Sequence, residues 1–360
     1  MLQIVDALSG GHAGYFLSYF ADILQSPGRK SGIALVLRDR TQGLFDPGGG
    51  TGKTLFLTWF GEKVLGEKYF LTVSDNNMLY DHFTEHLEHK LLVYVEEAEG
   101  TANKKNEDLL KTRITSTKIS INKKGISKYT VRDLARYVFT TNNSNPIPGS
   151  GADLSDRRFW FTDVNKRHRG DAEFFKSLSS HMDKPEVAGA FYRFLLSYPT
   201  WATPIEFANH RPTTSAMINI RYLNSGPIIQ WLVHRIHNEL PLEGSIKELY
   251  SNFENWVAEE QPERNETARK TTRKYFTDQL TTNPNIMGAH DPEDVLHRKN
   301  NIECLRLDRD LVHRMLVEGS YIMEDRRDVT AMLCASRNQT STATAASSSQ
   351  PVPAAFASSR

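Results

Sequence analysis

Between residues 32 and 165, short apolar runs alternate with segments whose apolar positions recur every three or four residues. That alternation predicts a parallel sheet flanked by helices. GIALVL (32–37) predicts a first buried strand, the apolar part of KLLVYVEEAEG (90–100) a second and the start of YVFTTNNSNPIP (137–148) a third. A further strand is expected in LSDRRFWFTDV (154–164). Upstream, GYFLSYFADILQ (14–25) is apolar at helical spacing and stops before Pro27-Gly28, and EVAGAFYRFLLSY (186–198) is also helical. A stretch rich in Pro, Thr and Asn, roughly 199–226, predicts a linker. After it, PIIQWLVHRIHNEL (227–240) and SIKELYSNFENWVAEE (245–260) predict amphipathic helices, followed by a basic helical stretch around 264–280. Residues 336–360 contain no acidic side chain and almost nothing apolar enough to pack, which predicts a disordered tail.

Composition narrows the class without naming a partner. At 360 residues the chain has room for two modest domains and a tail. The net charge is only +1, so local charge carries more information. Two cysteines, Cys304 and Cys334, exclude a disulfide scaffold and a Cys-rich zinc site and fit a reducing compartment. No apolar run approaches membrane-spanning length, and the N-terminus, with Asp6 and no basic region, is not a secretory signal.

DPGGGTGKTLFL (46–57) carries the first candidate chemistry. It fits the phosphate-binding pattern G-x-x-x-x-G-K-[ST], except that Pro47 stands at the first glycine. In such a loop, successive backbone N–H groups wrap phosphate oxygens, lysine reaches the terminal phosphates and the hydroxyl coordinates Mg2+. Gly48, Gly49, Gly50, Thr51 and Gly52 supply the cradle here, with Lys53 and Thr54 after them. Leu55, Phe56, Leu57, Trp59 and Phe60 predict the buried side of the following helix. Nine residues, Arg38 to Asp46, separate the predicted strand from Pro47, so either an excursion is inserted or GLF (43–45) ends the strand.

The later strands end in polar groups. Glu96-Glu97 close the second, where P-loop ATPases carry one acid that holds Mg2+ through water and one that polarises the attacking water; Glu96 stands in for the usual aspartate. Asn142, with Asn143 in reserve, closes the third, at the edge where ligands of open α/β sheets sit, and is read as a γ-phosphate sensor. Arg157 and Arg158 open the next strand; arginine's planar fork suits phosphate oxygens and transition-state charge, usually across a subunit boundary. Residues 103–136 hold ten Lys/Arg against three acids, a net +7. Within them, TKISINKKGISKYTV predicts a hairpin with Lys123 and Lys124 at its tip, suited to a nucleic-acid backbone.

This order of parts resembles a superfamily 3 helicase, and most closely the helicase half of virus and phage primase–helicases of the poxvirus type. HLEHKLLVYVEEAEG, INKKGISKYTV, FTTNNSNPI and DRRF carry the likeness, which covers roughly residues 14–200. It implies an α/β fold with an AAA+-like P-loop core and a winged-helix-like C-terminal region. The expected layout is a helical segment (1–31), the helicase domain (32–200), a linker (201–226), a helical C-terminal domain (227–335) and the tail (336–360). It also implies ATP and Mg2+ as cofactors, movement along single-stranded DNA, a homo-oligomeric ring (usually a hexamer) and a separate primase or polymerase as partner. Carried over, Lys53, Glu97, Asn142 and Arg157 are catalytic, Thr54 and Glu96 hold the metal, and Lys123 and Lys124 grip DNA. The stretch before residue 14 leaves no room for a primase domain, so a helicase without priming activity is expected, inside a host cell, in cytoplasm or nucleus. Two alternatives stay open, the second because of Pro47 and Glu96. One is a P-loop ATPase for protein remodelling or DNA packaging; the other is a decayed homologue that binds DNA without hydrolysing ATP.

Overall fold

Every residue of β1 (Ala34–Arg38) is buried, as befits a strand covered on both faces. The computed structural model describes residues 1–39, 49–81, 83–98, 104–143, 158–260, 271–283 and 295–322. β1 lies inside a parallel sheet with β2 (Phe70–Val73), β3 (Leu92–Val95), β6 (Arg136–Thr141) and β7 (Phe159–Asp163), in the spatial order β2-β3-β6-β1-β7. Leu35 of β1 stands opposite Val138 on one side and Trp160 on the other. Because the strands are parallel, their C-terminal ends share one edge. β6 lies between β3 and β1, so the residue after β6 comes between those after the other two. The remaining pair in this half, β4 (Lys118–Ile121) and β5 (Tyr129–Arg132), forms a separate antiparallel hairpin, as the alternation predicted.

Helices α1 (Leu2–Leu8) and α2 (Ala13–Gln25) join the sheet in one hydrophobic core and do not form a segment apart. Residues 15–23 of α2 are all buried, so this helix is surrounded and not merely docked by a stripe. Its Phe16 and Phe20 meet Phe56 and Phe60 of the helix that starts at Lys53, with ring centroids 4.7–5.7 Å apart. That helix, α3 (Lys53–Trp59), widens into a π-helical stretch over Phe60–Gly66. Gly61 permits the widened turn to lie against Phe70, since a Cβ there would come within 2.3 Å of the ring. α4 (Lys104–Thr115) precedes the hairpin; α5 (Ala172–Met182) and α6 (Pro185–Leu196) follow β7, and α6 packs on α2.

Several charged side chains inside this core form ion pairs. Asp22 of α2, fully buried, accepts from Arg136 of β6 at 2.9 Å, and Lys30 pairs with Asp133 at 2.8 Å. Arg38 of β1 reaches Asp163 of β7 at 2.6 Å. Two members of the +7 segment, Arg113 and Arg136, are thus interior residues, so the surface there is less basic than its sequence implied.

The stretch expected to be a linker, 201–226, forms two helices, α7 (Pro204–Asn209) and α8 (Ser215–Asn224). Local chemistry accounts for both. Thr203 and Glu206 make a reciprocal cap around Pro204, and Thr214 accepts from the Met217 N–H. Phe207 and Ile220 then bury themselves in the first core, and Asn219 accepts from Arg38 at 3.2 Å. Proline and threonine marked helix starts here, not an open linker.

A second core begins at Ile228. It is built by α9 (Pro227–His237), α10 (Ile246–Glu260), α11 (Arg273–Thr282) and α12 (Arg309–Glu318), together with the antiparallel strands β8 (Glu243–Ser245), β9 (Leu296–Lys299) and β10 (Ile302–Arg306). The two amphipathic helices predicted here are present as α9 and α10. The expected tail (336–360) and Cys334 lie outside the described residues, and Cys304 is a free thiol. No helix among the described residues is long and apolar enough to cross a membrane.

Candidate functional site

Gly52 explains why the loop before α3 is glycine-rich. Its φ of 86° is left-handed, and a Cβ would lie 2.8 Å from Ile4 Cδ1 and 2.8 Å from Phe175 Cε1. Gly49 (φ 79°) and Gly50 (φ 69°) are left-handed as well. Gly48 and Pro47 lie outside the described residues, as does GLF (43–45); β1 ends at Arg38.

Asp39, the residue after β1, meets this loop. Its Oδ2 accepts from the Gly49 N–H (2.9 Å), Thr51 Oγ1 (3.1 Å) and Lys53 Nζ (2.9 Å). Lys166, from the turn after β7, brings its Nζ to 3.7 Å from the Oδ1. Burial lowers the pKa of Lys53 from the ordinary lysine range, opposed by the hydrogen bond and charge of Asp39.

Thr54 faces the acid strand. Its Oγ1 donates to Glu96 Oε1 at 3.1 Å and lies 3.0 Å from the Tyr94 hydroxyl, which is 3.2 Å from Thr140 Oγ1. Donors running from Thr140 through Tyr94 and Thr54 to Glu96 satisfy this row. Ser74 adds a contact to the other Glu96 oxygen at 3.4 Å. A hydroxyl beside a carboxylate at the cleft is a pair of hard oxygen donors, the kind of ligand Mg2+ takes.

Glu97 is exposed and left-handed at φ 47°, an uncommon conformation for a non-glycine residue. Its charge acts on Lys53. Asn142, half-buried, closes the far wall, while Asn143 is exposed and its N–H is taken by Thr141 Oγ1 at 3.0 Å. The Gly49–Leu55 loop, Glu96, Glu97 and the Thr140–Asn142 turn together line a cleft of about 310 Å³. The described residues proposed from sequence for nucleotide and metal thus come together at one sheet edge. Arg157 lies outside the described residues, and of its alternate, Arg158, the backbone carbonyl accepts from Ala34 N at 2.7 Å.

Sequence reading missed Asp39, Tyr94 and Lys166. Asp39 had a signal, a carboxylate directly after a buried strand. Lys166 belongs to the basic cluster NKRHRG (165–170). Tyr94 was hidden inside an apolar run, where its hydroxyl gave no pattern.

At the hairpin tip the two lysines differ in their surroundings. Lys124 is exposed, but Lys123 pairs with Glu88 at 2.6 Å and lies over the Tyr129 ring, 5.7 Å from its centroid. The Tyr129 hydroxyl donates to the same Glu88 at 2.8 Å. The Glu88 and Tyr129 bonds raise the pKa of Lys123, so it stays charged while its ammonium is occupied. Lys118, Lys124, Lys128 and Arg132 are exposed along the hairpin, and Ile126 is 57% exposed at its turn.

Comparison with known proteins gives a consistent neighbourhood. Residues 45–158 match a family of unknown function, DUF5906. A DNA primase-polymerase of Nitratiruptor phage NrS-1 is 26% identical over 155 residues, which is 42% of this chain and 20% of that protein. The match thus spans about a fifth of the relative's length. Two apo structures of the NrS-1 C-terminal region superpose with TM-scores of 0.55 and 0.52 at 18% identity, covering 85% of this chain and 75% of theirs. At that identity the likeness is one of fold: a mixed α/β architecture around a parallel sheet, shared with the NrS-1 C-terminal region.

Proposed function

We propose that this chain is an ATP- and Mg2+-dependent helicase of superfamily 3 type, with an AAA+-like P-loop core, acting on single-stranded DNA in viral-type genome replication. The observation that carries the reading is the convergence of Lys53, Thr54, Glu96, Glu97 and Asn142 around one cleft at the C-terminal edge of the sheet. A lysine, a hydroxyl–carboxylate pair, an outer acid and an amide are the set that phosphoryl transfer to water requires. The replication role is supported by the likeness to the phage primase-polymerase.

In this reading the loop N–H groups and Lys53 hold the phosphates, and Thr54 and Glu96 hold Mg2+. The metal, when bound, neutralises charge on the phosphate oxygens. Glu97 accepts the proton of the attacking water, and Asn142 hydrogen-bonds the γ-phosphate or that water. Arg157 completes the site of a neighbouring subunit in a homo-oligomeric ring, a hexamer by the habit of the family. The hairpin carries the DNA strand, with Lys124 as the exposed lysine of the tip pair and Lys123 held back by Glu88. The winged-helix-like reading of the second core and a separate primase or polymerase as partner belong to the same proposal.

Strand displacement on a forked duplex tests the whole reading. ATP and Mg2+ should drive displacement, and Lys53→Ala should abolish it. ATP hydrolysis that is indifferent to DNA and displaces no strand would overturn the helicase reading in favour of a remodelling or packaging ATPase.

A further inference from the structure

Two lysines from separate elements converge on Asp39. Lys53 Nζ is 2.9 Å from Oδ2, and Lys166 Nζ is 3.7 Å from Oδ1. The carboxylate is fully buried, while the two lysine side chains are 10% and 24% exposed. The Oδ2 takes the Gly49 N–H, the Thr51 hydroxyl and the Lys53 ammonium, which are donors the loop would otherwise turn toward a phosphate. The Oδ1, although buried, accepts no hydrogen bond among the described residues. The cluster is thus an anion site filled from within by a carboxylate. A polyphosphate, with several equatorial oxygens, offers these donors more acceptors than one carboxylate does. Lys166 comes from the turn after β7 and Lys53 from the start of α3. The stem of Arg169, in the same turn, passes close to Gly50: a Cβ there would be 3.9 Å from Arg169 Cγ.

We infer that Lys166 is a second phosphate-binding lysine of the nucleotide site, and that Asp39 is the resident counter-ion that keeps both lysines in place until the nucleotide's phosphates displace it. This rests on the reading of the cleft as a nucleotide site. It adds a cation supplied by the same subunit, from the turn after β7, beside the arginine expected from a neighbour.

Calorimetric titration with ADP in the presence of Mg2+, on the full chain, tests it. Lys166→Met should weaken ADP binding about tenfold, the loss expected for one charge-assisted contact. Lys166→Arg should restore most of that affinity. Asp39→Asn, which removes the competing charge but keeps the shape, should bind ADP at least as tightly as the unaltered protein. Thermal unfolding of each variant checks that its fold persists. If the unaltered protein binds ADP and Lys53→Ala does not, yet Lys166→Met binds normally, the second-lysine role is wrong and the nucleotide reading stands. An arginine variant as weak as the methionine one, or an Asp39→Asn variant weaker than the parent, would equally overturn it. No ADP binding by the unaltered protein would remove the nucleotide reading and this inference together.

Discussion

Thr54 Oγ1 lies 3.1 Å from Glu96 Oε1, although 42 residues separate them in sequence. The hydroxyl comes from the first turn of α3 and the carboxylate from the end of β3, and Tyr94 braces both. If this pair holds Mg2+, Thr54→Val should keep the side-chain volume and remove one ligand. The Mg2+ concentration for half-maximal ATP hydrolysis should then rise at least tenfold, in line with the roughly 10–100-fold losses seen when a metal's supporting contacts are removed. A Mg2+ titration of hydrolysis checks this, and an unchanged midpoint would place the ion elsewhere.

Glu97 is exposed at the cleft with a left-handed backbone. As the group that takes the proton of the attacking water, its replacement by glutamine should leave ATP binding nearly intact. Turnover should fall by about 10²–10⁴-fold. Single-turnover hydrolysis and equilibrium binding, measured on the same preparation, separate the two. Normal turnover would assign the base to another residue.

Gly52 is held both by its φ of 86° and by Ile4 and Phe175 against its Cα. Gly52→Ala should cost about 1–2 kcal/mol from the left-handed backbone alone, with more from the contacts. Because the strain falls on the residue before Lys53, ATP affinity should drop as well. Thermal unfolding and ATP binding would show both effects. A variant as stable as the parent that binds ATP normally would mean that the loop rearranges freely.

At the hairpin, Lys124 and Lys123 should behave differently. Lys124 is exposed, so Lys124→Ala should not alter stability. It should lower the salt dependence of single-stranded DNA binding by about 0.7 in the log–log slope, the share of one phosphate contact. Lys123 is tied to Glu88 and Tyr129, so Lys123→Ala should change that slope less. Equal slopes for the two variants would show that the Glu88 pair opens when DNA binds.

Much of this arrangement could be read from the chain because it depends on local patterns. Apolar runs ending in a polar residue located β1, β3, β6 and β7, and their ends located Glu96, Glu97 and Asn142. The glycines before Lys53 announced a loop of positive φ. What escaped were relations made only by folding. The neighbourly placing of Asp39, Lys53 and Lys166 needs three separate strand and helix ends to meet. The pairing of Lys123 with Glu88 crosses from the hairpin to a loop before β3. The interior roles of Arg113 and Arg136 disguised structural cations as surface charge. The helices α7 and α8 were obscured because Pro204 and the capping threonines resemble loop composition.

The most direct test of the central claim is the rate of phosphate release from ATP and Mg2+, with and without single-stranded DNA, on protein of known oligomeric state. The account predicts hydrolysis that requires Lys53, rises when single-stranded DNA is added, and loses that rise in Lys124→Ala while the basal rate remains. Absence of hydrolysis by the folded oligomer under both conditions would contradict it.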